Sequence, residues 1–430
     1  MTKRIILVVL ALTVVFITAW AGGKQEEVKA NVISFMFQGP PGEVEAFKGV
    51  AERFTAETGI QVELLYTPHD VYNEKVAGFV AANSLPDVMQ LDAPFLCNYV
   101  WNEYIVAVEE YLEKDVVADM TPSNIAQCIY PIDGKLYAIA HIDSTVLLYG
   151  NRTYLEKIGA RIPKSTADAW SVEEFEGYLA KLAKLPEVKY PLDIMRAYGV
   201  KTEWGTYAFY PAFVSAGGGL IDRKQWKSKG TLTSPASIRV AETFQRWAQN
   251  GWIVPASAGD NLLFNEAREA AIAWNGHWMW APAYASLDDD LVAMPLPNFG
   301  KGVVTPNGTW IFSITKNANK EAAGKFVSYM LKDKQFLDEW QAISAYPALK
   351  SWVARYELYS DPKKMAIAAE QSNVAVARPP HPAYPIITSS FMKAFDDILN
   401  GEDVKSALDE AANMIDRDIE DHDGYPPFGK

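Results

Sequence analysis

Residues 32–66 read VISFMFQGPPGEVEAFKGVAERFTAETGIQVELLY. Val32 to Phe37 is a short apolar run, as a buried strand requires, and Gln38-Gly39-Pro40-Pro41-Gly42 breaks it. From Glu43 to Thr58 the apolar residues Val44, Phe47, Val50, Ala51 and Phe54 recur at helical spacing. Gly59 stands where a helix end favours a left-handed residue. Gln61 to Tyr66 predicts a second strand, Val71 to Ala82 a second helix, and Val88 to Leu91 a third strand ending at Asp92. Strand, helix, strand, helix, strand is the signature of a parallel sheet with helices on its faces.

The alternation continues outward. Leu136–Ala140 and Val146–Tyr149 predict strands, and Ser171–Leu185 a helix opened by Ser171 with Glu174 three residues on. Further helices are predicted over Ile238–Asn250, Lys320–Leu331, Ser390–Leu399 and Ala407–Ile419. At 430 residues the chain exceeds what one core usually serves, so two lobes are expected. No internal repeat or low-complexity linker divides it.

Residues 1–21 carry Lys3 and Arg4, an apolar run from Ile5 to Ile17, and Ala19-Trp20-Ala21, the pattern of a cleavable secretory signal. Gly22 to Ala30 reads as a flexible leader. The net charge is −13, and loss of Lys3 and Arg4 takes it to −15, which repels nucleic acid and anionic lipid. Cys97 and Cys128 are either a disulfide or two buried thiols. The five histidines show no metal-ligand spacing, and HExxH, GxSxG and phosphate-loop patterns are absent, so no cofactor or metal is expected. Gly217-Gly218-Gly219 lacks dinucleotide spacing.

Aromatic content is what stands out: 13 Trp, 21 Tyr and 19 Phe. Trp274-Asn275-Gly276-His277-Trp278-Met279-Trp280 follows an apolar strand, Ala270–Ala273, and meets a turn signal at Asn275-Gly276. Trp310 follows another at Asn307-Gly308. Open α/β sheets place their crevice at strand ends. There an indole covers the apolar C–H face of a pyranose, while carboxylates, Asn or Arg take its hydroxyls.

In its order of motifs the chain resembles the extracellular solute-binding proteins of carbohydrate ABC transporters, the group typified by maltose-, maltodextrin- and trehalose-binding proteins. The matching pieces are Gly42-Glu43 with Phe47–Phe54 and Thr58–Val62, Leu85–Asp92, Asp133–Ala138, Leu148–Asn151 with Lys157–Gly159, Asn275–Trp280, and Arg378-Pro379 with Tyr384. The resemblance implies a type II periplasmic-binding-protein fold, a clamshell of two α/β lobes with mostly parallel sheets and three hinge crossings. The crossings are expected near 142–144, 293–295 and 328–333. The first lobe then takes 31–142 plus 294–330, and the second 143–293 plus 331–430. It implies a monomer at the periplasmic or extracellular face of the cytoplasmic membrane. This monomer captures a di- or oligosaccharide by hinge closure, delivers it to the transporter's permease subunits, and is not an enzyme.

By position, Glu43 and Asp92 are expected as hydroxyl acceptors of the first lobe, Tyr149 and Asn151 as contacts past the first crossing, Trp278 and Trp310 as stacking platforms, and Arg378 as the late arginine. Ala140-His141-Ile142-Asp143 and Gly150 depart from the family pattern, and Thr309 replaces a glycine before Trp310; Asp143 is therefore a further candidate contact. Two rival readings are a receptor for a phosphorylated polyol or other small anionic solute, which needs several convergent cations, and an exported glycosidase, which needs a flanking carboxylate pair.

Overall fold

The structure is a computed structural model that describes residues 31–199, 202–353 and 355–428. The expected signal segment 1–21 and leader 22–30 lie outside the described residues. The described strands are β1 (Val32–Phe37), β2 (Gln61–Tyr66), β3 (Val88–Asp92), β4 (Ile139–Asp143), β5 (Val146–Asn151), β6 (Tyr190–Asp193), β7 (Ala270–Gly276), β8 (Leu291–Met294), β9 (Thr305–Asn307), β10 (Trp310–Ile314), β11 (Tyr346–Pro347) and β12 (Ala375–Ala377). They form a six-stranded sheet in the order β11-β4-β10-β3-β1-β2, a four-stranded sheet in the order β6-β7-β5-β8, and a two-stranded ladder of β12 and β9. Each main sheet anchors one lobe. Among the described residues no helix is long and apolar enough to cross a membrane.

The sheets are mixed rather than mostly parallel. β1 runs parallel to β2 and β3, and β6 to β7. β10 is antiparallel to both β3 and β4, and β5 to both β7 and β8. β11 is likewise antiparallel to β4. β5 and β10 are the strands the chain enters just after passing between lobes. They start at the edge facing the other lobe, whereas β1, β2, β3, β4 and β7 end there. One edge of each sheet thus collects strand C-termini together with the first residues of β5 and β10, which gives the crevice its side chains.

The first lobe's core is aromatic. Phe35 lies 5.1 to 5.6 Å, ring to ring, from Phe37, Phe47, Phe312 and Phe326. Helix Pro41–Thr58 delivers Phe47, Val50 and Phe54 into it. Helix Lys334–Ala342 also packs here, with Phe336 and Trp340 at 5.6 and 5.4 Å from Phe47. That corrects the expectation that everything from 331 onward belongs to the second lobe. Trp352 is still in the first core, and Tyr356 is in the cluster on the second sheet, so the third crossing lies between them and not at 328–333. The second crossing also moves. Leu296 and Val303 remain in the second core, and the return passes from β9 to β10 through Gly308 and Thr309. The first passage runs through Ser144 and Thr145. An apolar helix face shows that it is buried but not under which sheet, which is why these boundaries slipped.

The C-terminal segment ties the lobes together. Phe428 packs 5.7 Å from Tyr130 of the first lobe and 4.9 Å from His381 of the second. The Trp101 indole N–H donates to the Pro426 carbonyl at 3.1 Å.

Phe35→Ala is expected to cost about 3–5 kcal/mol, as for other fully enclosed phenylalanines. Urea titration read by fluorescence checks this; a loss below about 1 kcal/mol would show that the first core does not rest on that ring cluster.

Candidate functional site

Four first-lobe side chains gather at the sheet edge. Glu43 opens the helix that follows β1, His69 follows β2, Asp92 ends β3, and Trp310 begins β10 directly opposite Asp92. Trp310 is half-buried, with His69 and Tyr72 set edge-on to it at 5.6 and 6.4 Å. Glu43 keeps some solvent contact, but protein closes around it and strips the water that would stabilise its charge. That desolvation pushes its carboxyl up to about 8.

The second lobe answers with its own aromatics. Trp278 lies in the short turn after β7, and its ring folds back over Gly276. A Cβ there would stand 2.2 Å from the indole, so the Asn-Gly-His-Trp stretch needs a glycine to seat the platform. The turn expected at Asn275-Gly276 is the last part of β7, and Trp274 is fully buried in the core. Trp278 stacks on Tyr207 at 6.2 Å and meets Trp204 edge-on at 6.0 Å. Both partners come from helix Trp204–Ser215, which is buried on nearly every side. It escaped sequence reading for that reason, because a helix without a polar face has no amphipathic period. Its aromatic density was the available signal.

The two halves meet across the gap. The Tyr198 hydroxyl and His69 Nδ1 are 2.7 Å apart. Arg378 donates through Nη1 to Asp92 Oδ2 at 2.7 Å and through Nη2 to Asp92 Oδ1 at 2.5 Å, a two-pronged bond between lobes. Nη1 also donates to Glu203 Oε1 at 2.9 Å. Glu203 in turn accepts from the Tyr384 hydroxyl and, at 2.6 Å, from Thr388 Oγ1. Burial raises the Glu203 carboxyl, and the Arg378 charge opposes that rise. The guanidinium also lies 5.1 Å over the Tyr207 ring.

The remaining expected contacts are placed elsewhere. Tyr149 is fully buried in the second lobe, its hydroxyl donating to the Gly276 and His277 carbonyls at 3.2 and 3.1 Å. Asn151 caps the helix Arg152–Lys157 by accepting from the Tyr154 N–H at 3.2 Å. It sits at the far end of β5, about 17 Å from Val146 by strand rise. Neither reaches the cleft. Asp143 is buried at the hinge, where the Ser144 N–H and the Asn307 amide occupy its oxygens at 2.8 and 3.2 Å. Desolvation raises it to about 6. Around it Ser144 Oγ pairs with the Tyr207 hydroxyl at 2.7 Å, and Thr145 Oγ1 with Thr305 Oγ1 at 2.6 Å. Gly308 passes so close that a Cβ would meet the Tyr207 ring at 2.3 Å.

Sequence reasoning missed Glu203, Tyr207, Tyr198 and His69. Cys97 and Cys128 are both buried free thiols. Among the described residues no group of three His, Cys, Asp or Glu side chains could hold a metal ion.

Residues 49–367 match the bacterial extracellular solute-binding protein family. The chain belongs to that family. The fold is similar to that of the GacH receptor of Streptomyces glaucescens, solved with acarbose (TM-score 0.73, 22% identity, 90% of this chain and 97% of that one). It is also similar to an ABC substrate-binding protein of Listeria monocytogenes in complex with cycloalternan (0.77, 17%, 90% and 99%). A Thermotoga lettingae solute-binding protein bound to α-D-tagatose gives 0.76 at 20%, over 90% and 99%. Binding proteins of Brucella abortus and Brucella suis match at 22% identity over 210 residues, so the chain spans about half the length of these curated relatives.

Because the folded state holds the Glu43 proton more tightly than the unfolded chain, stability falls as pH rises from the ordinary glutamate value of 4.5 through about 8. Glu43→Gln is expected to gain stability on wild type progressively across that window and to match it below pH 4. A parallel offset at every pH in thermal melts would contradict this. Arg378→Met strands two buried carboxylates and is expected to cost about 3–5 kcal/mol, read by urea titration; a neutral result would mean that the pair adds nothing to closure.

Proposed function

We propose that this solute-binding protein is the receptor of an ABC importer, exported by its N-terminal signal and acting as a monomer outside the cytoplasmic membrane. There it captures a di- or oligosaccharide by closing its lobes and hands it to the permease subunits. Its work is binding, not catalysis. The observation that carries this reading is the aromatic shelf. Trp278 stacks on Tyr207 in one lobe, Trp310 stands opposite Asp92 in the other, and the Asp92–Arg378 bond, with Arg378 over the Tyr207 ring, links the two groups. Aromatic faces cover the C–H patches of sugar rings, and the rim groups exchange hydrogen bonds with hydroxyls. Two stacks and several hydrogen bonds at about 1 kcal/mol each, plus buried area, reach the roughly 8 kcal/mol of a micromolar complex. The sugars seen in the similar solved structures point the same way.

The rival readings find less support. A phosphorylated ligand wants free converging cations, and Arg378 is already matched by two carboxylates. A glycosidase wants two available carboxyl groups, and Asp92 and Glu203 are both engaged by Arg378.

A broad panel of neutral mono- and oligosaccharides is expected to contain at least one that raises the melting temperature and makes the protein more compact in small-angle scattering. Trp278→Ala is expected to weaken that sugar by about tenfold or more, the size of a lost stack plus its buried area. A panel without any response in either measurement would sink the reading.

A further inference from the structure

Helix Val404–Asp421 packs into the second core through Leu408, Ala412 and Ile415. Beyond it the backbone turns sharply at Asp423, Gly424 and Tyr425, three successive residues with φ of 52, 75 and 54°. Left-handed backbone is natural for glycine but uncommon for a bulky side chain such as tyrosine. Such a run persists where surrounding contacts hold it. Here the Gly424 N–H donates to the Ile419 carbonyl at 2.7 Å, and the Tyr425 hydroxyl to Asp418 Oδ2 at 2.7 Å. The His422 and Tyr425 rings stack at 4.5 Å, and the Phe428 N–H donates to the Tyr425 carbonyl at 2.9 Å. Segment 422–428 is thus stapled to a helix of the second lobe.

What the segment presents is turned toward the first lobe. Trp101, which ends the first-lobe helix Leu96–Trp101, meets the Tyr425 ring edge-on at 4.9 Å and donates its indole N–H to the Pro426 carbonyl at 3.1 Å. Phe428 lies 5.7 Å from Tyr130 and belongs to the first core, although its other ring partners, Trp226 and His381 at 5.9 and 4.9 Å, are second-lobe residues. Trp226 itself packs against both cores. On the same flank Asn98 donates through Nδ2 to the Pro382 carbonyl at 2.7 Å. Among the described residues, the ring contacts of Tyr425 and Phe428 include none of Trp204, Tyr207, Trp278 and Trp310. The segment therefore joins the lobes through groups separate from the aromatic shelf.

We propose that segment 422–428 is a latch that biases the lobes toward closure before any ligand arrives. This rests on the hinge closure proposed above, but not on the identity of the ligand. Swinging the lobes apart parts Trp101 from Tyr425 and Pro426, and Tyr130 from Phe428. Two ring contacts and one hydrogen bond, given up together, shift the ratio of closed to open molecules by about tenfold or more. The latch adds to closure and not to recognition, so it strengthens every ligand by one common factor.

The test compares the ligand-free full chain with a chain ending at Asp421, and with Trp101→Ala and Phe428→Ala, by small-angle scattering, after circular dichroism has shown each to be folded. The shortened chain is expected to have the larger radius of gyration, with both substitutions moving the same way by less. The two substitutions act from opposite lobes, so either decides the matter should the shortened chain fold poorly. Any sugar that binds the full chain is expected to bind the shortened one about tenfold more weakly, with the affinity ratio between sugars unchanged. Equal radii in all four proteins, even with a lowered melting temperature, overturn the latch, because the segment then only stabilises its own lobe. A loss of affinity that differs from one sugar to another also overturns it. If no sugar binds, the sugar reading falls, and the ligand-free radii still decide the latch.

Discussion

Arg378 is buried between carboxylates of opposite lobes, and the arrangement of the cleft follows from how its charge is satisfied. Removing a guanidinium from water costs several kcal/mol, recovered only with close, well-directed partners. Asp92 supplies two bonds from the first lobe, and Glu203 supplies one from the second. The partners are not equivalent. Glu203 is held in place by Tyr384 and Thr388, all on the same lobe as Arg378, whereas Asp92 ends a strand of the other lobe. The bond with the less firmly held partner is therefore the one that spans the two lobes, and Glu203 keeps the arginine on its own lobe.

The hinge obeys the same logic with neutral groups. Two crossings run side by side and are stitched by Ser144, Thr145, Thr305, Asn307 and Thr309 around the buried Asp143. Short hydroxyl and amide side chains satisfy backbone and carboxyl groups without filling the volume through which the backbones pass. Gly308 shows how little room remains, since the Tyr207 ring occupies the place of a side chain. Tyr207 thus touches the hinge through Ser144, the interlobe ion pair through Arg378 and the second-lobe aromatics through Trp278.

The strand and helix pattern of residues 32–92 was legible because β1 and β3 are short runs buried on both faces, while helix Pro41–Thr58 between them carries one apolar face. β1, β2 and β3 form as the runs predict, and Ser171 does cap its helix by accepting from the Glu174 N–H. Trp278 and Trp310 stood out as aromatics next to Asn-Gly pairs, although Asn275-Gly276 ends β7 and is not a turn; Trp278 follows that strand and Trp310 begins β10. Tyr149 and Asn151 were assigned by position in a motif, but motif position carries no information about strand direction. β5 runs away from the crevice, so its later residues are carried into the lobe and to its far end. Glu203 was unreadable because its role is set by Arg378, 175 residues later in the chain.

Charge is locally offset around Arg378 although the protein as a whole is acidic. Arg378 offsets part of the charge of Asp92 and Glu203, and desolvation keeps Glu43 protonated through neutral pH. A protonated carboxyl both donates and accepts, as a sugar hydroxyl does, so Glu43 can match a hydroxyl in either sense without adding field. His141, which departs from the family pattern nearby, follows the same economy. It is stacked on Phe312 at 4.3 Å, and burial lowers it to about 3, so it stays neutral. The overall negative charge lies on the solvated surface, where water screens it. Between the lobes Arg378 is opposed by Asp92 and Glu203 within hydrogen-bond distance.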